Sequence, residues 1–229
     1  MSAFLGVMIV LLVAAVPAFL VDLGAFVPEP AAHPPGTAVL ADAAAAKHVA
    51  RTHWEMRQGN AQANRVRPTP AELARFRTAS QSPYARLVTG GFSGTTDEIL
   101  QWGAAKWGLD VDLLRAQAAQ ESGSRQSQVG DNGLSFGILQ IKRTAWDGTW
   151  PLTQRSTAFN VDMHGAIMRE CLDGGATWLE SGYRAGDLWG CVGYYFSGRW
   201  DAPEGEAYAE RVRRQLRSRF LRDTWLQDS

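Results

Sequence analysis

The chain has 229 residues, enough for one good core plus appendages, and its 23 Lys and Arg are balanced by 23 Asp and Glu. A formal net charge of zero speaks against nucleic acid as a partner, and no Cys-x-x-Cys or His/Cys spacing suggests a metal. Nine tryptophans are many. Most belong to core packing, with one or two expected to offer sugar a flat apolar face and an N–H donor.

Residues 3–21 form a nearly unbroken apolar run, long enough to cross a bilayer at about 20 helical residues. No Lys or Arg precedes the run, Pro17 sits late in it, and passable cleavage sites lie near Ala25 or after Ala41. Residues 1–25 therefore read as a signal peptide or an uncleaved membrane anchor, and either one implies export. Residues 26–46, rich in Pro and Ala, read as a disordered or semi-extended spacer. Residues 47–94 carry no motif and read as a helical collar on the rest. A charged segment over 47–62 can form a helix that Pro68 and Pro70 end, and Thr69 then caps a short helix over 71–78 with Pro70 as its first residue.

From residue 95 the pattern sharpens. Thr95 and Glu98 form a capping box that opens an amphipathic helix with Ile99, Leu100, Trp102 and Trp107, stopped by Gly108. A second helix follows at once, capped by Asp110 and ended by Gly123 in a left-handed conformation. Val111, Leu114 and Ala118 share a face of it, and Glu121 falls on that same face in the last turn. A carboxylate on a buried face, at the negative end of the helix dipole, is pushed toward its neutral form. That is the condition of a general acid working near neutral pH.

After a Gly-Ile-Leu-Gln turn at 137–140, residues 142–152 read as a loop with a helical start. Ser156 caps a helix with Phe159, Met163, Ala166 and Ile167 on its apolar face, broken at Asp173-Gly174-Gly175. Residues 186–195 form a Gly-rich aromatic helix and turn, and a last helix over 206–225 carries Tyr208, Val212, Leu216 and Phe220 on one stripe. Six arginines between Arg211 and Arg222 occupy its other faces and read as a solvated surface. The two cysteines, Cys171 and Cys191, favour a disulfide in an exported chain and buried thiols in the cytosol. A bridge would join two neighbouring helices and is worth about 3 kcal/mol in the chain-entropy model. No internal repeat and no useful period-2 strand is visible, so the fold class is mainly α.

Three motifs in order carry a resemblance. Glu121-Ser122 with Gly137-Ile138-Leu139-Gln140 resembles the "ES … GLMQ" signature of the lytic transglycosylase (SLT) domain, a goose-lysozyme-like peptidoglycan cleaver. Asn160-Val161 with Gly165 resembles that family's "N-[IV]-x-x-x-G" helix, and Tyr195-Phe196-Ser197-Gly198 its "Y-N-x-G" turn, with Phe196 in place of Asn. The resemblance spans roughly residues 91–221, and the surrounding text is similar to an actinobacterial secreted branch.

The resemblance implies a lysozyme-like catalytic domain over 95–229 that acts on peptidoglycan glycan strands as a monomer, without a cofactor. Glu121 would serve as general acid and then base, while the C6 hydroxyl of N-acetylmuramic acid closes on its own C1 to leave a 1,6-anhydro product. Ser122, Gln140, Asn160, Tyr194 and Tyr195 are then candidate substrate contacts. Each also has a plain structural reading: Ser122 bonding the helix end, Gln140 closing its turn, Asn160 bracing its helix. An ordinary glycosidase needs a second carboxylate, at roughly 6.5–9.5 Å for inversion, and Asp131 and Asp147 are the candidates. Asp131-Asn132-Gly133 is equally a turn sequence. A reading of another class is a wall-binding scaffold that keeps the shape without the activity; Phe196 is the one mark in its favour.

Overall fold

The structure, a computed structural model, describes residues 29–52, 54–179 and 182–218. It is mainly helical, with a small antiparallel sheet. The apolar run over 3–21 and the last part of the helix expected over 206–225, Phe220 and Arg222 included, lie outside the described residues. Among the described residues no helix is long and apolar enough to cross a membrane.

Helix α1 (Asp42–Ala45) is a single turn, and α2 (Pro70–Ala79) starts as its sequence dictates, with a complete Thr69–Glu72 capping box and Pro70 at its first position. Helices α3 (Thr96–Trp107) and α4 (Val111–Ser122) have the expected caps at Thr95 and Asp110, and both end in a left-handed glycine, Gly108 and Gly123. A hairpin pair follows: β1 (Val129–Gly130), β2 (Ser135–Phe136) and β3 (Ile141–Lys142), in the order β1-β2-β3. Val129 pairs with Phe136, and Phe136 with Ile141. Helix α5 (Leu152–Arg155) is one turn; α6 (Thr157–Leu172), capped by Ser156, is wholly buried. Helices α7 (Leu188–Ser197) and α8 (Pro203–Arg217) pack on each other, and α8 also packs on α4.

The core is one cluster, with α6 at its centre and α3 laid across it. Close approach of these two helices needs glycine at 165, because a Cβ there would stand 2.1 Å from Trp107 Cδ1. Beside it, Asp162 on α6 is fully buried and accepts from Lys106 Nζ at 2.8 Å, Trp107 Nε1 at 2.7 Å, and the backbone of Thr89 and Gly90. A buried charge survives only with such pairing.

Three sequence expectations are corrected. Residues 29–46 are not a free spacer: Asp42 is the second partner of Lys106, at 2.9 Å, and Ala45 is in the core. The backbone of that segment pairs with the body too, through His33 N to Gly108 O at 2.7 Å and Leu40 N to Lys106 O at 3.0 Å. Proline-rich composition signals extension, but an extended strap can satisfy its backbone against a neighbour as well as against water.

Among its described residues the charged segment over 47–62 forms no α-helix; 3-10 turns stand at Ala46–His48 and Gln58–Asn60, with another just after it at Ala63–Arg65. Thr52 N bonds to Glu98 on α3, while the Arg57 and Asn60 side chains donate to the carbonyls of Gly123 and Ser124 at the end of α4. The collar also shares one core with the rest through Phe76, Ala85, Val88 and Phe92, so residues 47–94 and the region from 95 onward are one packed unit. Finally, a sheet is present after all. Its two-residue strands are too short to leave an alternation in the sequence.

The disulfide joins Cys171, in the last turn of α6, to Cys191 on α7. It ties α7 to α6 just ahead of Tyr194, Tyr195 and Phe196.

Candidate active site

Glu121 occupies the last turn of α4, one residue before the helix ends. Burial pushes its carboxyl up to about 7, with Asp131 pushing the same way and Tyr208 and Arg211 pulling back. Desolvation is the dominant cause, as the buried face of α4 dictates. The hydroxyl of Tyr208, from α8, donates to Glu121 Oε1. Tyr208 is fully buried, and Phe196 stacks on its ring at 4.8 Å with planes 8° apart. The Arg211 guanidinium lies over both rings, 5.2 Å from Phe196 and 5.6 Å from Tyr208.

The end of α4 is held from two sides. On one, the collar reaches in: Arg57 Nε donates to the carbonyl of Gly123 at 2.8 Å, and Asn60 Nδ2 to that of Ser124 at 2.9 Å. On the other stands the 137–140 turn. Ser122 Oγ donates to Ile138 O at 2.8 Å and accepts from Arg125 N, so its role is to tie helix to turn. Asn160 is fully buried; its Oδ1 accepts from Leu139 N at 2.9 Å while its Nδ2 donates to Phe136 O and Thr153 O. With its amide fully committed, Asn160 is a brace, and a Cβ on Gly137 would stand 2.2 Å from it. Gln140 Nε2 donates to Gly137 O at 2.8 Å and to Gln128 O at 3.2 Å, closing the turn. The Tyr195 hydroxyl donates to Leu139 O, and its ring meets the buried His164 edge-to-face at 4.6 Å.

A cleft of about 570 Å³ runs beside this assembly, walled by Gln140, Trp146, Trp178, Tyr194, Tyr195 and Phe196 among others. Tyr194 is buried in that wall, its phenol pushed up to about 12 by desolvation. Trp178 is 56 % exposed, an open aromatic face of the kind sugar rings pack on. Glu121 itself is not in the wall. It is joined to it through Tyr208, which stacks on the wall residue Phe196.

The two candidate second carboxylates sit differently. Asp131 occupies the hairpin turn with φ +48°, accepts from Ser135 Oγ at 2.7 Å and lies 3.6 Å from Lys142 Nζ. It is the turn former its sequence suggests, close enough for its charge to reach Glu121. Asp147 is exposed at the rim of the cleft and has no comparable influence on Glu121.

Sequence reasoning missed Tyr208, Arg57 and Asn60. Tyr208 was legible only as one apolar position in an amphipathic stripe, and nothing in a one-dimensional pattern pairs it with a glutamate on another helix. Comparison of the chain with protein-family models, with curated proteins and with solved structures gives no match.

Proposed function

We propose that the protein is a peptidoglycan lytic transglycosylase with a lysozyme-like fold, Glu121 acting as general acid and then as base. The observation that carries the reading is a largely desolvated carboxyl whose pKa lies near neutrality, held by a tyrosine that stacks on the wall of a sugar-sized aromatic cleft. In the first step the Glu121 proton goes to the glycosidic oxygen, the C1–O bond breaks and positive charge develops at C1. In the second, the Glu121 carboxylate takes the proton of the C6 hydroxyl, whose oxygen bonds to C1. Proton and electron count close without water, and Glu121 ends protonated as it began.

A lysozyme-type hydrolase is the second reading, favoured by the charge of Asp131 acting on Glu121. Its involvement with Ser135 and Lys142 weighs against it as a base, since both partners hold it in its turn. Export to an oxidising compartment fits the Cys171–Cys191 bond, and a tether through residues 1–25 would keep the enzyme near the membrane. Release of soluble muropeptides from purified peptidoglycan by the wild-type chain, and none by Glu121→Gln, is the expected result. Equal release by both proteins would remove Glu121 from the chemistry.

A further inference from the structure

The cleft also holds a carboxylate that the reaction does not use. Glu170, in the last turns of α6, is 3 % exposed and forms part of the cleft floor. Among the described residues its carboxylate accepts from Ser82 Oγ, at 2.7 Å, and has no cation in ion-pair range. The other buried acid on this helix, Asp162, has Lys106. Glu170 thus lacks the counter-charge that a buried carboxylate needs, and the gap faces a cavity rather than the core.

Its surroundings match one kind of ligand. Ser82 spends its hydroxyl proton on Glu170 and accepts from Tyr84 N, so it presents no donor to the cleft. Trp178, open to solvent, and Tyr194, close enough to feel the Glu170 charge, supply aromatic surface in the same cleft. A carboxylate beside aromatic faces favours a cation, through a charge-assisted hydrogen bond and cation–π attraction together. Burial raises the Glu170 carboxyl above its ordinary value, and an arriving cation reverses that.

Helix α7 links this carboxylate to the acid. Its Cys191 is bonded to Cys171, next to Glu170, and its Phe196 stacks on Tyr208, the partner of Glu121. Glu170 and Phe196 line the same cleft, so a strand lying in it passes both the Glu170 carboxylate and the aromatic wall behind which Tyr208 holds Glu121.

We infer that Glu170, with Ser82, Trp178 and Tyr194, forms a subsite for the ammonium group of an amino sugar lacking its N-acetyl group, so that the cleft distinguishes de-N-acetylated from N-acetylated strands. The inference rests on the glycan-cleaving reading for its substrate class, and its test is independent of turnover. The full chain carrying Glu121→Gln is titrated by calorimetry, at mildly acidic pH, with a glucosamine pentasaccharide and with its fully N-acetylated counterpart. The amino form is expected to bind about tenfold more tightly, the scale of one charge-assisted contact. Adding Glu170→Gln, which can still accept from Ser82, is expected to abolish that preference while leaving the acetylated form unchanged. Trp178→Ala, at an exposed position, is expected to reduce it.

Equal affinity for the two sugars, absence of binding, or a preference that survives Glu170→Gln would overturn the inference. Binding of Nα-acetyl-lysine amide with the same Glu170 dependence would also overturn it, by assigning the site to a peptide amine. Muropeptide release by the wild-type chain is scored separately, so failure of the subsite and failure of the glycan-cleaving reading are distinguishable.

Discussion

Tyr208 and Glu121, 87 residues apart in the chain, meet in a hydrogen bond from phenol to carboxylate at the junction of α8 and α4. The bond favours the charged form of Glu121 and so opposes the desolvation that raises its pKa. It also holds one carboxylate oxygen in place. Tyr208 is a positioning residue in this account, acting through Glu121.

Tyr208→Phe removes that bond and keeps the ring stack with Phe196. The Glu121 pKa is expected to rise, moving the alkaline limb of the pH–rate profile upward by about one unit, with kcat falling about tenfold or more as the carboxyl loses its orientation. A merely structural role would lower stability and leave the profile where it was. The check is kcat/KM against pH for both proteins.

For the wild-type chain the acid must be protonated at the start, and its pKa is about 7. Activity is therefore expected to fall as pH rises through neutrality. An ordinary exposed glutamate would instead give a fall near pH 4 to 5, roughly its unperturbed value. Initial rates on purified peptidoglycan over that range decide between them.

The same shift has a consequence for stability, with a definite sign. Between the unfolded pKa and about 7 the folded state holds the Glu121 proton more tightly than the unfolded state does, so raising the pH through this window costs stability. Glu121→Gln has no proton to lose. It is expected to be more stable than wild type above neutrality, by up to about 3 kcal/mol, with the difference vanishing below pH 4. Urea unfolding at pH 4 and pH 8 measures it; a variant less stable than wild type at pH 8 would contradict it.

Gly165→Ala tests the core. The new Cβ would stand 2.1 Å from Trp107 Cδ1, on a rigid ring that is itself buried against α6 and bonded to Asp162. Overpacking of this kind is expected to destabilise by about 3 kcal/mol. Gly133→Ala, where nothing lies within 4 Å, provides a contrast in which only the backbone conformation is strained.

The sequence made much of this legible, and for a physical reason in each case. Local signals worked: the Thr95 and Thr69 capping boxes, the glycines at 108 and 123 and the Asp110 and Ser156 caps all fix helix ends through contacts within four residues, so the pattern contains its own partner. Glu121 was readable because helical spacing alone puts it on the face of Leu114 and Ala118. What escaped were long-range partners. The bond from Tyr208, the grip of Arg57 and Asn60 on the end of α4, and the seating of Asp42 on Lys106 each join segments far apart in the chain. The motif residues Ser122, Gln140 and Asn160 lay open between structure and substrate contact; the hydrogen bonds of all three brace the 137–140 turn, and Gln140 also stands in the cleft wall.

Product analysis tests the central claim most directly. Purified peptidoglycan is digested with the full chain, and the soluble fragments are examined by mass spectrometry. A single carboxylate working without water predicts fragments ending in 1,6-anhydro-muramic acid, two hydrogens and one oxygen lighter than hydrolysis products. Fragments with free reducing ends would contradict that mechanism and point to a water-activating base, with Asp131 the first residue to replace.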